Sequence, residues 1–240
     1  MRELLSPRPS PTGIVAGMKL YLSSYKLGSD LRCLASMAPP EGKKVGLIAN
    51  ALDFTGVDEA KRDRDSAVEA RLLEELGFSI QHLDLRAYFG QHSRLCDELL
   101  QLGGVWIRGG NCFILRQAMH LSGFDQAIRS MHSRSDFLYS GYSAAGCVLS
   151  PSLSVYAIVD NPNDHPYPEL RETIWEGLSV LEYAFMPHYD STHFESAVMG
   201  QEIQRCIERK QLFKALRDGD ALVGETDDHG KLVSERFTRS

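Results

Sequence analysis

A serine within a run of small residues is the first feature of this sequence that could carry covalent chemistry. Ser143 follows an apolar stretch that ends at Gly141, and small residues continue from Ala144 to Gly146. A strand, a sharp turn with a serine at its tip and a helix form a nucleophile elbow, which lifts the hydroxyl clear of the sheet. Positions two residues either side of the serine must be small, and they are Gly141 and Ala145. The pattern predicts Ser143 as a nucleophile, with an ordinary helix N-cap serine as the alternative.

A histidine later in the chain is a candidate base for this serine. His188 follows Pro187 at the end of 183–186, which has the apolar pattern of a strand. At the carboxyl end of a parallel strand, an imidazole can take the proton of Ser143 and later return it to a leaving amine. His193 is close in sequence, but it falls in the following loop and is less constrained. His188 is therefore the predicted general base.

A third group should orient the imidazole, and acids are frequent between the serine and the histidine. The candidates are Asp160, Asp164, Glu169, Glu172 and Glu176. Asp160 comes directly after the apolar stretch 155–159, so a rigid element could hold it in place. Asp160 is the preferred third member, although the residues alone barely separate it from the other acids.

Backbone N–H groups that could stabilise an oxyanion are expected at two places. The N–H of Ala144 opens the helix that follows the elbow. Gly109 and Gly110 precede Asn111 where a strand ends and a helix begins, and glycine lets the backbone approach a ligand closely. A plain strand-to-helix turn would have the same residues. The glycine pair is therefore expected to form part of an oxyanion hole only if the other residues of the site lie beside it.

These residues must be positioned by the elements around them, and strand-like and helix-like segments alternate along the chain. Strands are predicted at 19–24, 44–52, 78–85, 105–107, 137–141 and 183–186, helices at 95–102, 112–121, 124–131 and 196–209, and a closing hairpin at 220–225 and 231–237. The capping-box pattern Ser66 to Glu69 predicts a further helix that begins at Ser66 and ends at Gly77. This alternation predicts an α/β fold with a mostly parallel sheet and helices on both faces, whose site lies at the carboxyl ends of the strands.

Length and composition restrict the kind of protein. The chain has 240 residues, of which 43% are apolar and 24% charged, as in soluble globular domains. The net charge of −6 argues against nucleic acid or an anionic membrane as the main partner. Five scattered cysteines without a CxxC pair indicate reduced thiols and a cytoplasmic protein. We expect a flexible N-terminal extension over residues 1–17 and a single domain over residues 18–240.

Three segments together resemble the peptidase E family. The segment 109–115 resembles its Gly-Gly-Asn-Thr-Phe-x-Leu stretch, 141–144 resembles its Gly-x-Ser-Ala-Gly elbow, and 187–189 is similar to its Pro-His-Phe/Tyr segment. The resemblance implies a flavodoxin-like fold related to class I glutamine amidotransferases, with serine in place of cysteine as the nucleophile. It also implies hydrolysis of small peptides, among them dipeptides with an N-terminal Asp, without a metal or an organic cofactor.

Carried over onto this chain, the resemblance implies a role for five residues. They are Ser143 as nucleophile, His188 as base, Asp160 as the third member of the triad, and Gly110 and Ala144 as the oxyanion hole. Two positions depart from the family pattern, since Ala145 replaces the elbow glycine and Cys112 replaces the usual threonine.

Substrate binding is less well marked in the sequence. A pocket selective for Asp needs a cation for the side-chain carboxylate, and Arg108, Arg116 and Arg171 are candidates by position only. Asn111, beside the glycine pair, is a further candidate for substrate binding. We expect a small peptide as the substrate, and a monomer or a homodimer.

Three other functions remain open. An esterase or amidase would use the same triad on another acyl substrate. The alanine at position 145 favours a catalytically impaired binding protein on this fold. A cysteine enzyme would use Cys147 or Cys112, each of which would need a positioned base of its own.

Overall fold

The computed structural model describes residues 17–239, in which nine strands and seven α-helices occur. The strands are β1 Lys19–Ser23, β2 Val45–Ile48, β3 Ile80–His82, β4 Gly104–Ile107, β5 Leu138–Tyr142, β6 Ala184–Met186, β7 Phe213–Ala215, β8 Ala221–Thr226 and β9 Leu232–Thr238. The helices are α1 Leu31–Ser36, α2 Glu59–Glu75, α3 His92–Gln101, α4 Cys112–Ser122, α5 Phe124–Met131, α6 Ala144–Cys147 and α7 Ser196–Glu208.

Seven of these strands form one sheet in the order β3-β2-β4-β5-β1-β8-β9. The first five strands along the chain pair in parallel, whereas β8 and β9 run antiparallel at one edge. The mostly parallel sheet and the closing hairpin are therefore confirmed. β5 lies between β4 and β1, so the strand that leads to Ser143 is held on both sides.

Side chains of the sheet alternate between two apolar cores. Leu20 and Leu22 of β1 pack in the larger core with α3 to α6, whereas Tyr21 packs in the smaller core with α1 and α2. Trp106 of β4 lies in the smaller core with Tyr21, and its neighbours in the strand lie in the larger one. Because both faces of the strands are buried, their sequences are almost continuously apolar. Helices thus cover both faces, as predicted.

The start of α2 differs from the prediction. The helix begins at Glu59, where the Asp58 carboxylate accepts the Lys61 N–H at 2.9 Å. Ser66 therefore lies in the middle of the helix, and its hydroxyl donates to the Arg62 carbonyl. The predicted capping box is wrong because Asp58, an equally good N-cap residue, starts the helix two turns earlier.

The strand β6, which leads to His188, lies outside the main sheet. It pairs in parallel with β7, a short strand that the apolar pattern did not predict. The pairing continues past both strands, since the Leu216 N–H donates to the Met186 carbonyl at 2.9 Å and the Tyr189 N–H donates to the Leu216 carbonyl at 3.0 Å. The chain that follows β7 is thereby brought beside His188.

The predicted extension over residues 1–17 lies outside the described residues except for Gly17, whose N–H donates to the Thr226 carbonyl at 3.0 Å. Between residues 17 and 239, no helix combines the length and the apolar character that crossing a bilayer demands.

Candidate active site

Ser143 occupies a strained turn between β5 and α6. Its backbone has φ 50° and ψ −107°, a conformation that residues other than glycine rarely adopt. The turn depends on Gly141, whose φ is 151°. A Cβ at Gly141 would meet the Ile107 carbonyl and would lie 2.8 Å from the Ala145 Cβ. The elbow therefore has room for alanine at position 145 as long as position 141 is glycine.

His188 follows β6 and faces the elbow. Its Nε2 atom lies 3.2 Å from Ser143 Oγ, a hydrogen-bond distance at the long end of the usual range. Its N–H donates to Ser24 Oγ at 2.8 Å, and its φ of 61° is a second left-handed conformation in the site. The imidazole is buried, so packing and the backbone together fix its direction. The structure thus brings together the serine and the histidine that the sequence singled out.

The acid beside His188 is Asp218. Its Oδ1 lies 2.8 Å from His188 Nδ1, so the neutral imidazole holds its proton on Nδ1 and presents the Nε2 lone pair to Ser143. The same Oδ1 accepts the Ser24 hydroxyl at 2.9 Å, and the Asp218 N–H donates to Ser191 Oγ at 2.8 Å. These two further hydrogen bonds hold the carboxylate in position.

The prediction that Asp160 orients His188 is therefore wrong. Asp160 Oδ2 accepts the Cys112 N–H at 2.8 Å at the start of α4, and the residue lines the cavity above Ser143 without bonding the imidazole. The acids that the sequence favours lie between the serine and the histidine, whereas Asp218 follows His188, so the observed order is Ser-His-Asp. No local signal marks Asp218, because it is the pairing of β6 with β7 that brings it into place.

Two backbone N–H groups beside the elbow remain available to a substrate oxygen. Ala144 is the first residue of α6, and Gly110 lies after β4 with φ 149°. A Cβ at Gly110 would meet the Ala51 carbonyl, so this position requires glycine. Within residues 17–239 neither the Gly110 nor the Ala144 N–H donates to a protein acceptor. Their role in an oxyanion hole remains a prediction.

Burial controls the protonation state of the histidine. It lowers the pKa of His188 below the ordinary value of 6.5, an effect that the Asp218 hydrogen bond opposes and the neighbouring His193 reinforces. The His193 ring stacks on the His188 ring, with centroids 3.7 Å apart and planes 11° from parallel. At neutral pH the His188 imidazole is therefore uncharged and able to accept a proton.

The predicted arginines lie away from the cavity. Arg108 is buried and donates to the Glu69 carboxylate at 2.9 Å and to Ser66 Oγ at 2.7 Å. Arg116 is likewise paired with a buried aspartate. Arg171 is exposed and does not line the cavity. Arg108 and Arg171 are therefore wrong as substrate-binding residues.

Asn111 lies at the cavity, but its side chain already has partners. The Oδ1 atom accepts the N–H groups of Phe113 at 2.8 Å and Ile114 at 3.2 Å, so Asn111 caps α4. The Nδ2 atom donates to the Asn161 carbonyl at 3.0 Å. Contact of Asn111 with a substrate remains a prediction.

The two cysteines considered as nucleophiles are fully buried. Burial raises the pKa of both the Cys112 and the Cys147 thiols well above the ordinary range, and the charge of Asp160 raises both further. The Cys147 thiol lies 3.7 Å from the Phe185 carbonyl oxygen. Because the thiolate is the reactive form, neither cysteine has the properties of a nucleophile.

The cavity above Ser143 has a volume of about 480 Å³. Several of the residues that line it had no role in the sequence prediction. They are aromatic, aliphatic and acidic: Tyr25, Leu52, Phe54, Phe194 and Glu195. Glu195 Oε2 lies 3.9 Å from His188 Nε2 and 3.8 Å from His193 Nδ1. These residues come from separate loops, so no spacing along the chain connects them.

His188, His193 and Glu195 each offer a potential metal-ligand atom, all within 4.8 Å of one another. Imidazole lone pairs lie in the ring plane, and these two rings are stacked nearly parallel. The two nitrogens therefore do not converge on one point, as the tetrahedral ligands of zinc must. In this conformation the group does not fit a zinc site.

Comparison with known proteins identifies the family. The sequence model of peptidase family S51, a family of serine-type peptidases, matches residues 55–232, and the chain belongs to this family. An uncharacterized peptidase of Listeria monocytogenes is 25% identical over 125 residues, which are 52% of this chain and 58% of that protein. An uncharacterized peptidase of Pasteurella multocida is 28% identical over 141 residues, 59% of this chain and 64% of that protein. The chain thus matches less than two thirds of the length of each of these relatives.

Solved structures show the same fold. A crystal structure of a protein assigned to peptidase E from Listeria monocytogenes has a TM-score of 0.71 at 18% identity, covering 94% of this chain and all of that one. The structure of a peptidase from an acI-B1 Actinobacterium has a TM-score of 0.61 at 14% identity, covering 95% and 96% of the two chains. At these identities the likeness supports the peptidase E-type α/β fold alone.

Proposed function

We propose that this protein is a serine peptidase that hydrolyses small peptides through a triad of Ser143, His188 and Asp218. The observation that carries the proposal is the chain of contacts from Ser143 Oγ to His188 Nε2 at 3.2 Å and from His188 Nδ1 to Asp218 Oδ1 at 2.8 Å. Membership of peptidase family S51 supports it independently.

In the proposed reaction, Ser143 Oγ attacks the carbonyl carbon of the scissile bond while its proton passes to His188 Nε2. Asp218 stabilises the imidazolium that forms and keeps Nδ1 protonated. The imidazolium then protonates the leaving amine, and an acyl-enzyme remains on Ser143. Water, deprotonated by the same nitrogen, releases the acid and restores the hydroxyl.

The N–H groups of Gly110 and Ala144 would stabilise the oxyanion of each tetrahedral intermediate. Donors that are already in position stabilise this charge without reorganisation, and removing one typically costs about 100-fold to 1,000-fold in rate.

A cavity of about 480 Å³ has the size of a pocket for a small ligand, which favours short peptides over folded proteins. Reduced cysteines in the described residues suit the cytoplasmic location that we predicted.

Hydrolysis of a peptide panel by the wild-type protein and by Ser143→Ala tests this proposal. We expect cleavage by the wild type and a loss of at least about 1,000-fold in Ser143→Ala. Ser130→Ala, which replaces an exposed serine of α5 that does not line the cavity, is the matched control and should retain full activity. Equal activity of wild type and Ser143→Ala would refute the proposed nucleophile.

An esterase with the same triad is the second candidate, because the contacts described do not themselves select a leaving group. Matched p-nitroanilides and p-nitrophenyl esters of one amino acid separate the two functions. A peptidase cleaves the anilide as well as the ester, whereas cleavage of the ester alone would identify an esterase.

A further inference from the structure

Acidic side chains outnumber basic ones in the walls of the cavity above Ser143. Three carboxylates line it, from Asp160, Asp164 and Glu195, whereas none of its described lining residues is lysine or arginine. Lys26 lies near the rim, with its ammonium 5.0 Å from the centre of the Tyr25 ring, but its side chain is exposed to solvent. The excess of acids is unsuited to an aspartyl substrate, whose carboxylate would meet like charge.

Neither Glu195 nor Asp160 has a cationic side chain as its partner among residues 17–239. The Glu195 carboxylate approaches His188 and His193 at 3.9 and 3.8 Å, and burial lowers the pKa of both imidazoles, which are therefore uncharged at neutral pH. Asp160 accepts a backbone N–H and has no cationic partner among residues 17–239. Asp164 differs, because it accepts both the N–H and the hydroxyl of Thr55 and is satisfied at the rim.

Burial without a counterion raises the pKa of both carboxyls. It raises the pKa of Asp160 to about 6 and the pKa of Glu195 to about 7, and the charges of Asp160 and Asp218 add to the shift of Glu195. A cation placed between them would oppose these shifts and stabilise the charged form of both carboxyls, so the cavity favours a positively charged ligand group.

The remaining walls suit the carbon stem of a cationic side chain. Tyr25, Phe54 and Phe194 line the cavity, and the Phe194 side chain is 84% exposed. Aromatic faces pack against methylene groups and attract ammonium or guanidinium groups. A lysine or arginine side chain would contact both kinds of surface here.

We infer that the cavity selects substrates whose acyl residue carries a protonated amine or a guanidinium, and that Glu195 and Asp160 recognise this charge. The inference rests on the proposed function, since the acyl residue is the one that would be attached to Ser143. Ser143 Oγ and Glu195 Oε2 lie 3.2 and 3.9 Å from the same atom, His188 Nε2. The two oxygens are therefore at most about 7 Å apart, a distance that the extended side chain of a single lysine or arginine covers from its carbonyl carbon.

Matched amino-acid p-nitroanilides test the inference. Lysine and norleucine have side chains of the same carbon skeleton, and only the lysine side chain carries a charge. The anilides of both are tested with a free and with an acetylated α-amine. The aspartyl anilide is tested alongside them. We expect kcat/KM to be at least about 10-fold higher for acetyl-lysine than for acetyl-norleucine if the side chain is the recognised cation. If the α-amine is recognised instead, free norleucine should exceed acetyl-norleucine by a similar factor. Absence of both preferences, or preference for aspartate, would overturn the inference.

Substitutions of Glu195 and Asp160 test whether these residues recognise the cationic group of the substrate. Glu195→Gln should reduce the ratio of kcat/KM between the cationic and the neutral substrate about 10-fold, and Asp160→Asn should reduce it in the same direction. Glu208→Gln, at the far end of α7, is the control and should leave the ratio unchanged. A ratio that stays at the wild-type value in both cavity variants would overturn the assignment of these residues.

A binding measurement separates failure of the inference from failure of the proposed function. The affinities of Ser143→Ala for lysinamide, norleucinamide and their acetylated forms, measured by calorimetry, do not depend on catalysis. Tighter binding of the cationic amides would support charge selection even if no anilide were cleaved, a result that would contradict only the peptidase proposal. Equal affinities would refute charge selection even if the anilides were cleaved.

Discussion

At the scale of single residues, the site depends on an imidazole fixed between two oxygen atoms. His188 Nδ1 faces the Asp218 carboxylate, and Nε2 faces the Ser143 hydroxyl. The other titratable groups that face the ring are His193, stacked on it, and Glu195 and Tyr25 at its edge. The protonation of His188 therefore reflects burial and a small number of identified neighbours.

The acidic limb of the pH profile should lie below pH 6.5. Burial lowers the pKa of His188, and only the neutral ring accepts the serine proton, so activity is lost as the pH falls through this lowered pKa. The measurement is kcat/KM between pH 4.5 and 8.5 with an uncharged substrate, repeated in Glu195→Gln to remove the carboxyl with a pKa of about 7. A midpoint above pH 7 that persists in Glu195→Gln would contradict this prediction.

The two candidate acids should differ sharply when each is replaced. Asp218→Asn should lower kcat on a neutral substrate by about 1,000-fold to 10,000-fold, because the amide favours the wrong tautomer of His188. Asp160→Asn should lower it by less than about 10-fold, since Asp160 does not contact the ring. Steady-state kinetics of the two variants decide the matter, and a larger loss in Asp160→Asn would restore Asp160 as the acid.

The residues show what a sequence can and cannot indicate about such a site. Ser143 and His188 lie in short motifs whose local neighbours reveal the turn and the strand end, so both could be singled out. Asp218 has no motif, and its place depends on a tertiary pairing of β6 with β7. Glu195 also has no motif, and its approach to His188 depends on how the loop after β6 folds.

At the scale of elements, the elbow depends on close contact between β4, β5 and α6. Gly141 lies in β5 beside Ile107 of β4, and the first turn of α6 passes over it at Ala145. The departure from the family pattern at Ala145 is therefore accommodated by the glycine opposite. The sequence predicted these elements, but it placed the start of α2 at Ser66 and not at Glu59, since two residues of equal capping strength compete there.

Gly141→Ala should destabilise the protein and impair the site together. The added methyl group would meet the Ile107 carbonyl and Ala145 at a φ of 151°, a strain of about 2 kcal/mol or more in the free energy of unfolding. Gly200→Ala in α7 is the matched control: its new Cβ meets nothing within 4 Å, and it should stabilise by about 0.5–1 kcal/mol. Urea unfolding of both variants checks this, and equal stabilities would contradict the packing described for the elbow.

At the scale of the whole molecule, the net charge of the protein has the same sign as the acidic side chains that the fold brings into the cavity. The net charge of −6 matches the sign of the three carboxylates in the cavity, so long-range attraction and local recognition favour the same substrates. The α/β class, the parallel sheet and the hairpin could be predicted from apolar periodicity. The charge of the cavity could not, because it arises from loops that come together only in the folded chain.

Salt should therefore weaken hydrolysis of cationic substrates selectively. Raising the ionic strength from about 0.02 to 0.5 M shortens the Debye length from roughly 20 Å to about 4 Å and screens the attraction. We expect kcat/KM for a lysyl anilide to fall several-fold while that for the norleucyl anilide changes little. Parallel titrations with sodium chloride measure this, and equal salt dependence of the two substrates would argue against electrostatic selection.

The central claim, that Ser143 is a nucleophile activated by His188, is tested most directly by a fluorophosphonate probe. Its phosphorus reacts with an activated serine and forms a stable adduct that intact-mass spectrometry and peptide mapping locate. We predict about one adduct per chain, on the peptide that contains Ser143, and none in Ser143→Ala. His188→Ala should slow labelling at least about 100-fold. A wild-type protein that stays unlabelled at pH 7.5, or that is labelled at another residue, would contradict the account.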